Sequence, residues 1–414
     1  MPAQKLVDIQ DFQAVTAPNV VSTTAIAVIG GSGATAGAKQ IPAGATIPGT
    51  NTPTLVTSLR QGRDLFGWLP EPTGAKYSGT HVVLTESSGT GVNKISRNSI
   101  PRALESIFAN AEVPVVVVRF TDTATGDARQ TNILNALNAL RDNNQTGVDP
   151  SIIVIPEESW AGASPSAVAV SAIGNLESMC QTLDAFGIIA MPPFTAADAV
   201  GTTGMNWVTN TNNSDTRLLR VYPHISPTWK SVGRWDPSPA LAGAFARSDV
   251  TAGIANNPRG IIIQGARQTS PRISHSPILA TSQSAILRGA NVAPIIIRNG
   301  IKLFGTVMSV ADGSNRADRF VNVFRTKIDI QRNLQIIAEQ ATELNANPAR
   351  TYLLAQGSSL LRRYEALGAI LSPTFQLDPV LDVSGETDVY AIASYLSVNP
   401  TERITIRVGP RGLV

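Results

Sequence analysis

The sequence predicts a multidomain protein of mixed class, an α/β region followed by an α+β unit, with an extended strand arm at each end. Three observations carry this. Short apolar segments alternate with helix-period segments over the first two thirds of the chain. The pattern changes near residue 295, after which two long helical segments precede two strand-like ones. Close to each terminus a stretch of apolar/polar alternation stands apart from the rest.

Taken in order, "TAIAVIG" (24–30), "VPVVVVRF" (113–120), "SIIVIP" (151–156) and "FGIIAMP" (186–192) read as buried strands, each short and rich in β-branched or apolar residues. Helical patterns lie between them. "PRALESIFANAE" (101–112) puts Leu104, Ile107 and Phe108 on one face behind Pro101, a residue suited to a first helical turn. "RQTNILNALNALRDN" repeats Ile133, Leu137 and Leu140, and the next segment repeats Ala169, Ile173, Leu176, Cys180 and Leu183, which makes Cys180 a core position. Such alternation predicts a mostly parallel sheet covered by helices. In the last third, "TKIDIQRNLQIIAEQATELN" carries Ile330, Leu334 and Ile337 on one stripe, "ARTYLLAQGSSLLRRYEALGAI" is a second helix, and "DVYAIASYLSV" and "ERITIRVG" read as strands.

With 414 residues, 43% of them hydrophobic, the chain can bury a large core in two or three domains. Its 33 basic and 30 acidic residues leave a net +3, which lacks the overall basic field of a nucleic-acid binder. Cys180 is the single cysteine, which excludes an intrachain disulfide and a multi-cysteine metal site and fits a reducing compartment. Asp8 and Asp11 interrupt any apolar core of a leader peptide. The apolar runs have strand length, well short of the roughly 20 residues that span a bilayer. Neither export through the ordinary secretory route nor membrane insertion is expected.

Catalytic motifs fail in context. Gly31-Ser32-Gly33-Ala34-Thr35-Ala36 fits the G-x-G-x-x-G/A dinucleotide fingerprint, which needs a following helix and an acidic residue about 20 positions on. Pro42, Pro48 and Pro53, with Gly44 and Gly49, break any helix there, and no Asp or Glu occurs between Asp11 and Asp64. The expectation is therefore a tight turn leaving a buried strand, with a nucleotide-binding α/β enzyme kept as the alternative. Gly30 to Ala34 nearly match a nucleophile elbow, but Ala34 replaces its last glycine. The histidines are His81, His224 and His275; the latter two sit in proline-bounded, loop-like stretches and read as surface or packing residues. No metal-ligand spacing or phosphate-loop lysine is present. No catalytic, cofactor-binding or metal residue is assigned.

At the start, Val7, Asp8, Ile9 and Gln10 alternate; at the end, Arg403, Ile404, Thr405, Ile406, Arg407 and Val408 do so, with Ile404, Ile406 and Val408 on one face. Two edge-type strands next to linker-like segments can pair within their own chain or add to a sheet of another subunit.

Several segments, in order, resemble the contractile tail sheath proteins of bacteriophages and phage-like injection particles. "STTAIAVIGGSG" (22–33) is similar to the strand that opens the outer domain of that family, and "NTPTLVTSLRQGRDLFG" (51–67) to its N-x-P-x-L-V-T-S stretch and short helix. "IPRALESIFANAEVPVVVVRF" (100–120) resembles the next helix and buried strand. Most specific is "DPSPALAGAFARSDVTAGI" (236–254), which resembles the sheath signature through Pro237, Ser238, Ala242, Gly243, Ala246, Arg247 and Asp249. "RFVNVFR" with its long helix and the closing "NPTERITIRV" resemble the inner domain and terminal strand. Residues 68–99 depart from the pattern as an insertion, and "VTAGIANNPRG" departs after Asp249.

The resemblance implies an N-terminal arm over 1–22, an outer α/β region over 23–295, an inner α+β core domain over 296–400 and a C-terminal strand arm over 401–414. It implies a structural subunit, not an enzyme, without cofactor, that polymerises with itself around a tail tube protein and contracts to drive the tube through a cell envelope. Baseplate and tail-terminator proteins would be further partners, with no nucleic acid and no membrane insertion; the particle would assemble in the host cytoplasm. The two arm strands would join inner domains of neighbouring subunits. A non-contractile structural polymer is the other alternative.

Overall fold

The computed structural model describes residues 24–31, 48–67, 99–120, 126–158, 167–211, 217–227, 235–276, 279–305, 320–380, 382 and 389–398. Both arm strands, Val7 to Gln10 and Arg403 to Val408, and residues 68–98 of the expected insertion lie outside them. Ser99, expected to close that insertion, is instead the first residue of a helix. The described chain forms two compact units, divided between Thr326 and Lys327.

In the larger unit the elements run β1 (Ile26–Gly31), β2 (Thr54–Val56), α1 (Leu59–Phe66), α2 (Ser99–Phe108), β3 (Val115–Phe120), α3 (Gly126–Asp142), β4 (Ile152–Val154), α4 (Ala167–Thr182), β5 (Phe186–Ala190), α5 (Ala196–Val200) and α6 (Thr202–Asn210). They continue as β6 (Leu218–Tyr222), β7 (His224–Pro227), α7 (Pro237–Ala252), β8 (Ala266–Ser270), α8 (Gln283–Gly289), β9 (Val292–Ile297), β10 (Ile301–Leu303) and the start of α9 (Val321–Thr342). Eight strands form one sheet in the order β10-β9-β6-β5-β4-β1-β3-β2. β1 lies parallel between β3 and β4, with Ile26 opposite both Val115 and Ile152, while β2 and β10 close the two edges antiparallel.

This mostly parallel sheet is the one the alternating pattern predicts, and its physical signature is burial on both faces. Every residue of β1, β4, β5 and β6 is buried. One face carries Ala27, Ile29, Val116 and Val118 into a core with Ile133, Leu137 and Leu140 of α3 and Ile173, Leu176 and Cys180 of α4. α2 and α7 pack together and against β1, β4 and β5. β9, which runs through the expected division near residue 295, and β10 beyond it both belong to this sheet, and the larger unit runs on to Thr326. The loop-like placement of His224 is corrected: it opens β7 and is a packing histidine, fully buried, with Nε2 2.8 Å from the Met191 carbonyl oxygen.

The smaller unit holds the rest of α9, α10 (Ala346–Ala366) and a hairpin of β11 (Ile370–Leu377) and β12 (Ala391–Ser397). α10 packs on β11, and Gly357 makes that approach possible: a Cβ there would lie 2.5 Å from the Phe375 ring. The Tyr364 hydroxyl donates to Asp329 and accepts from Asn333, joining the two helices. Arg350 holds Asp382 at 2.9 Å, and the Tyr390 N–H donates to the same carboxylate.

Candidate functional site

In parallel sheets of this order, ligands bind beyond the carboxyl ends of the strands, where the order reverses, here between β1 and β4. The described residues at that place are engaged with one another. A Cβ on Gly30 would lie 2.7 Å from Ser99 Oγ, so the glycine permits the start of α2 to close on β1. The Gly31 N–H, which a phosphate would need, donates to Ser99 Oγ at 2.9 Å. Next to β4, Arg102 pairs with Glu157 at 2.7 Å, and Arg129 holds Glu158 through both Nε and Nη2. Both pairs are buried. Gly30 and Gly31 thus serve helix packing, and residues 32–36 of the fingerprint lie outside the described residues.

Asp236 completes this edge. Its Oδ1 accepts from the Ser238 N–H and hydroxyl, which caps α7, and its Oδ2 accepts from the Glu157 N–H at 2.8 Å. Burial, with the Glu157 carboxylate a smaller cause, pushes the Asp236 carboxyl up to about 6, against the opposing pull of those three hydrogen bonds. A raised carboxyl favours the folded state while protonated, so its contribution is full below about pH 4 and is lost as pH rises through about 6. Between pH 5 and 7 the wild type is expected to lose about 1 kcal/mol of stability relative to Asp236→Asn, as urea midpoints at the two pH values would register. Parallel behaviour of the two proteins would refute this.

α7 holds the sequence signature. Pro237 opens the helix, and Pro237, Ser238, Ala242, Gly243 and Ala246 are buried. Gly243 brings α7 against the α2 backbone: a Cβ would lie 2.6 Å from the Ile107 carbonyl oxygen. Arg247 donates to the carbonyl and side-chain oxygens of Asn110 and to the Ile262 carbonyl, while Asn110 is bonded to the backbone of Gln264. Asp249 receives Arg325 through two hydrogen bonds, at 3.0 and 2.5 Å, and the Thr24 hydroxyl at 2.5 Å. The Arg325 guanidinium also lies 4.9 Å from the Phe245 ring centre. One carboxylate therefore holds, within the larger unit, both the residue at which it begins and a residue just before it ends.

The β11–β12 hairpin has a different character. Its 15 strand residues include no charged one. Leu371 opposes Leu396 on an exposed face, at 51% and 63% accessibility, and Ile392 joins them. Each strand has one side without a strand partner among the described residues. Edges in isolated sheets are ordinarily protected by charge, which these two strands lack.

No family model matches the chain. A putative prophage major tail sheath protein of Pseudomonas aeruginosa (strain UCBPP-PA14) is 25% identical over 347 residues, covering 79% of this chain and 84% of that one. Three solved structures share the fold. In the contracted baseplate of the anti-feeding prophage, the match has a TM-score of 0.68 at 17% identity and covers 100% of this chain and 98% of that one. The contracted helical sheath of the same particle gives 0.60 at 16%, covering 94% and 93%. The contracted PVC sheath complex, from an extracellular contractile injection system, gives 0.62 at 14%, covering 94% and 92%.

The chain is similar to a tail sheath protein over most of its length and shares its fold with subunits of contracted sheath and baseplate structures. The signature residues of the sheath resemblance fall together on α7, where the small ones permit close packing and Arg247 and Asp249 organise polar contacts. The arm strands lie outside the described residues. Sequence reasoning missed Thr24, Asn110 and Arg325 as partners of the sheath signature, since each lies 76 or more positions from the residue it meets. Asp236 was findable: an Asp before Pro-Ser at the head of an apolar helix is an N-cap signal.

Proposed function

We propose that this chain is the structural subunit of a contractile tail sheath. It polymerises helically with itself around a tail tube, between a baseplate and a terminator, and shortens to drive the tube through the target envelope. The likeness to a tail sheath protein over most of both chains carries this reading. The fold of subunits from contracted sheaths supports it. The subunit performs no catalysis; the free energy resides in two packings of the polymer separated by a barrier. Assembly takes place in the host cytoplasm, as part of a phage tail or related injection particle.

The arms supply continuity in this reading. Subunits that rotate past one another break side-chain contacts, whereas strand-to-strand hydrogen bonds on a linker survive. Val7 to Gln10 and Arg403 to Val408 add to β11 and β12 of neighbouring copies, whose uncharged, open-sided strands accept them. Lys5, Asp8 and Asp11 leave the first arm near −1, while Glu402, Arg403, Arg407 and Arg411 leave the last near +2, which selects register and adds about 0–1 kcal/mol per pair.

Negative-stain electron microscopy of the full chain, alone and co-expressed with its tube protein, tests both statements. Hollow helical cylinders of two diameters are the expected result, and a chain lacking residues 1–20 is expected to remain a folded monomer. Small discrete particles from the full chain would overturn the sheath reading. Regular cylinders from the truncated chain would overturn the role of the first arm alone.

A further inference from the structure

Residues 250–311 contain six Arg and Lys and no Asp or Glu, so this stretch carries +6 while the rest of the chain carries a net −3. The fold gathers it at one edge of the large sheet, where β8 and α8 pack beside β9 and β10. Arg259 and Arg288 lie over the Phe304 ring, at 4.4 and 5.3 Å from its centre, and His275 meets the same ring edge-on at 4.3 Å. Burial and then the charges of Arg298, Arg259 and Arg288 hold His275 below the usual imidazole range, so the corner owes its charge to arginine. None of Arg267, Arg272, Arg288, Arg298 and Lys302 pairs with a carboxylate among the described residues.

Along the sequence, exposed Ile262, Leu279, Ile286 and Ile297 are interleaved with these cations. Arginine, an aromatic ring and apolar side chains on one surface make up a protein interface rather than a track for a phosphate backbone. Guanidinium groups seated on an aromatic ring are also partly ordered in advance, which lowers the entropy lost on docking.

We infer that this basic corner docks the carboxylate-rich Lys327–Val398 unit of a second copy of the chain. That unit holds eight Asp and Glu against five Lys and Arg, and residues 378–398 include four acids and no base. The inference rests on the sheath reading and names one contact of that polymer. Complementary charge acts chiefly on register and association rate, and salt weakens it.

The test is the rate at which the full chain, co-expressed and then purified with its tube protein, forms sedimentable polymer across a salt series. Arg288→Glu/Arg298→Glu is expected to slow assembly about tenfold or more and to flatten its salt dependence, whereas Arg288→Lys/Arg298→Lys keeps both. Arg272→Glu/Arg298→Glu, at two exposed positions, repeats the test without touching the Phe304 stack. Wild-type rates and salt dependence in both Glu variants would overturn the inference while leaving the sheath reading intact. So would unaltered assembly combined with loss of duplex DNA binding, which would assign the corner to a nucleic acid. Absence of polymer from the wild type would instead remove the sheath reading and the inference with it.

Discussion

Asp249→Ala is expected to destabilise the larger unit by about 3–5 kcal/mol, the effect of stranding a buried charge. The side chains of Asp249 and Arg325 are only 2% and 5% accessible. The rings of Phe245 and Phe186, 4.9 and 6.0 Å from the guanidinium, attract it but supply no hydrogen-bond acceptor in place of the carboxylate. Thr24 loses its acceptor as well. Replacing both charges, as Asp249→Leu/Arg325→Met, is expected to recover most of the loss, because an apolar pair removes the desolvation penalty on both sides. Tryptophan fluorescence during urea unfolding measures this unit selectively, since all five tryptophans lie between residues 68 and 235. A loss below about 1 kcal/mol in the single variant would show that the pair is open to water.

Gly243→Val is expected to be comparably severe, at about 3 kcal/mol or more, through overpacking. The atom a Cβ would strike at 2.6 Å is the Ile107 carbonyl oxygen, part of the α2 backbone, so no rotamer change relieves it. Either α7 moves away from α2, opening the layer over β1, β4 and β5, or α2 deforms. Gly289, the last residue of α8, supplies the comparison, since a Cβ there meets nothing within 4 Å. Gly289→Ala should be neutral or mildly stabilising, consistent with the higher helix propensity of alanine. Equal effects of the two substitutions in the same urea experiment would refute the packing role assigned to Gly243.

The two variants mark where the sequence was readable. That Pro237 to Ala252 is a helix follows from Asp-Pro-Ser at its head and small apolar residues behind it. That Gly243 matters follows only from α2 passing within contact distance of it. Gly31 shows the reverse: it opens a spacing that fits a nucleotide motif, yet its N–H is taken by Ser99, 68 residues away.

The sequence alone determined the type and order of β1, α2, β3, α3, β4, α4, β5, α9, α10 and β12, because periodicities of 2 and 3.6 residues are local properties of backbone geometry. So was the two-faced burial of the central strands, written as unbroken apolar runs. The tertiary structure decided the order of strands in the sheet, the placement of Arg325 and Thr24 on Asp249, and the gathering of an acid-free stretch at one sheet edge. A residue's spacing fixes which side of its own element it occupies, but the layer packed against that side comes from a distant part of the chain and leaves no periodic trace.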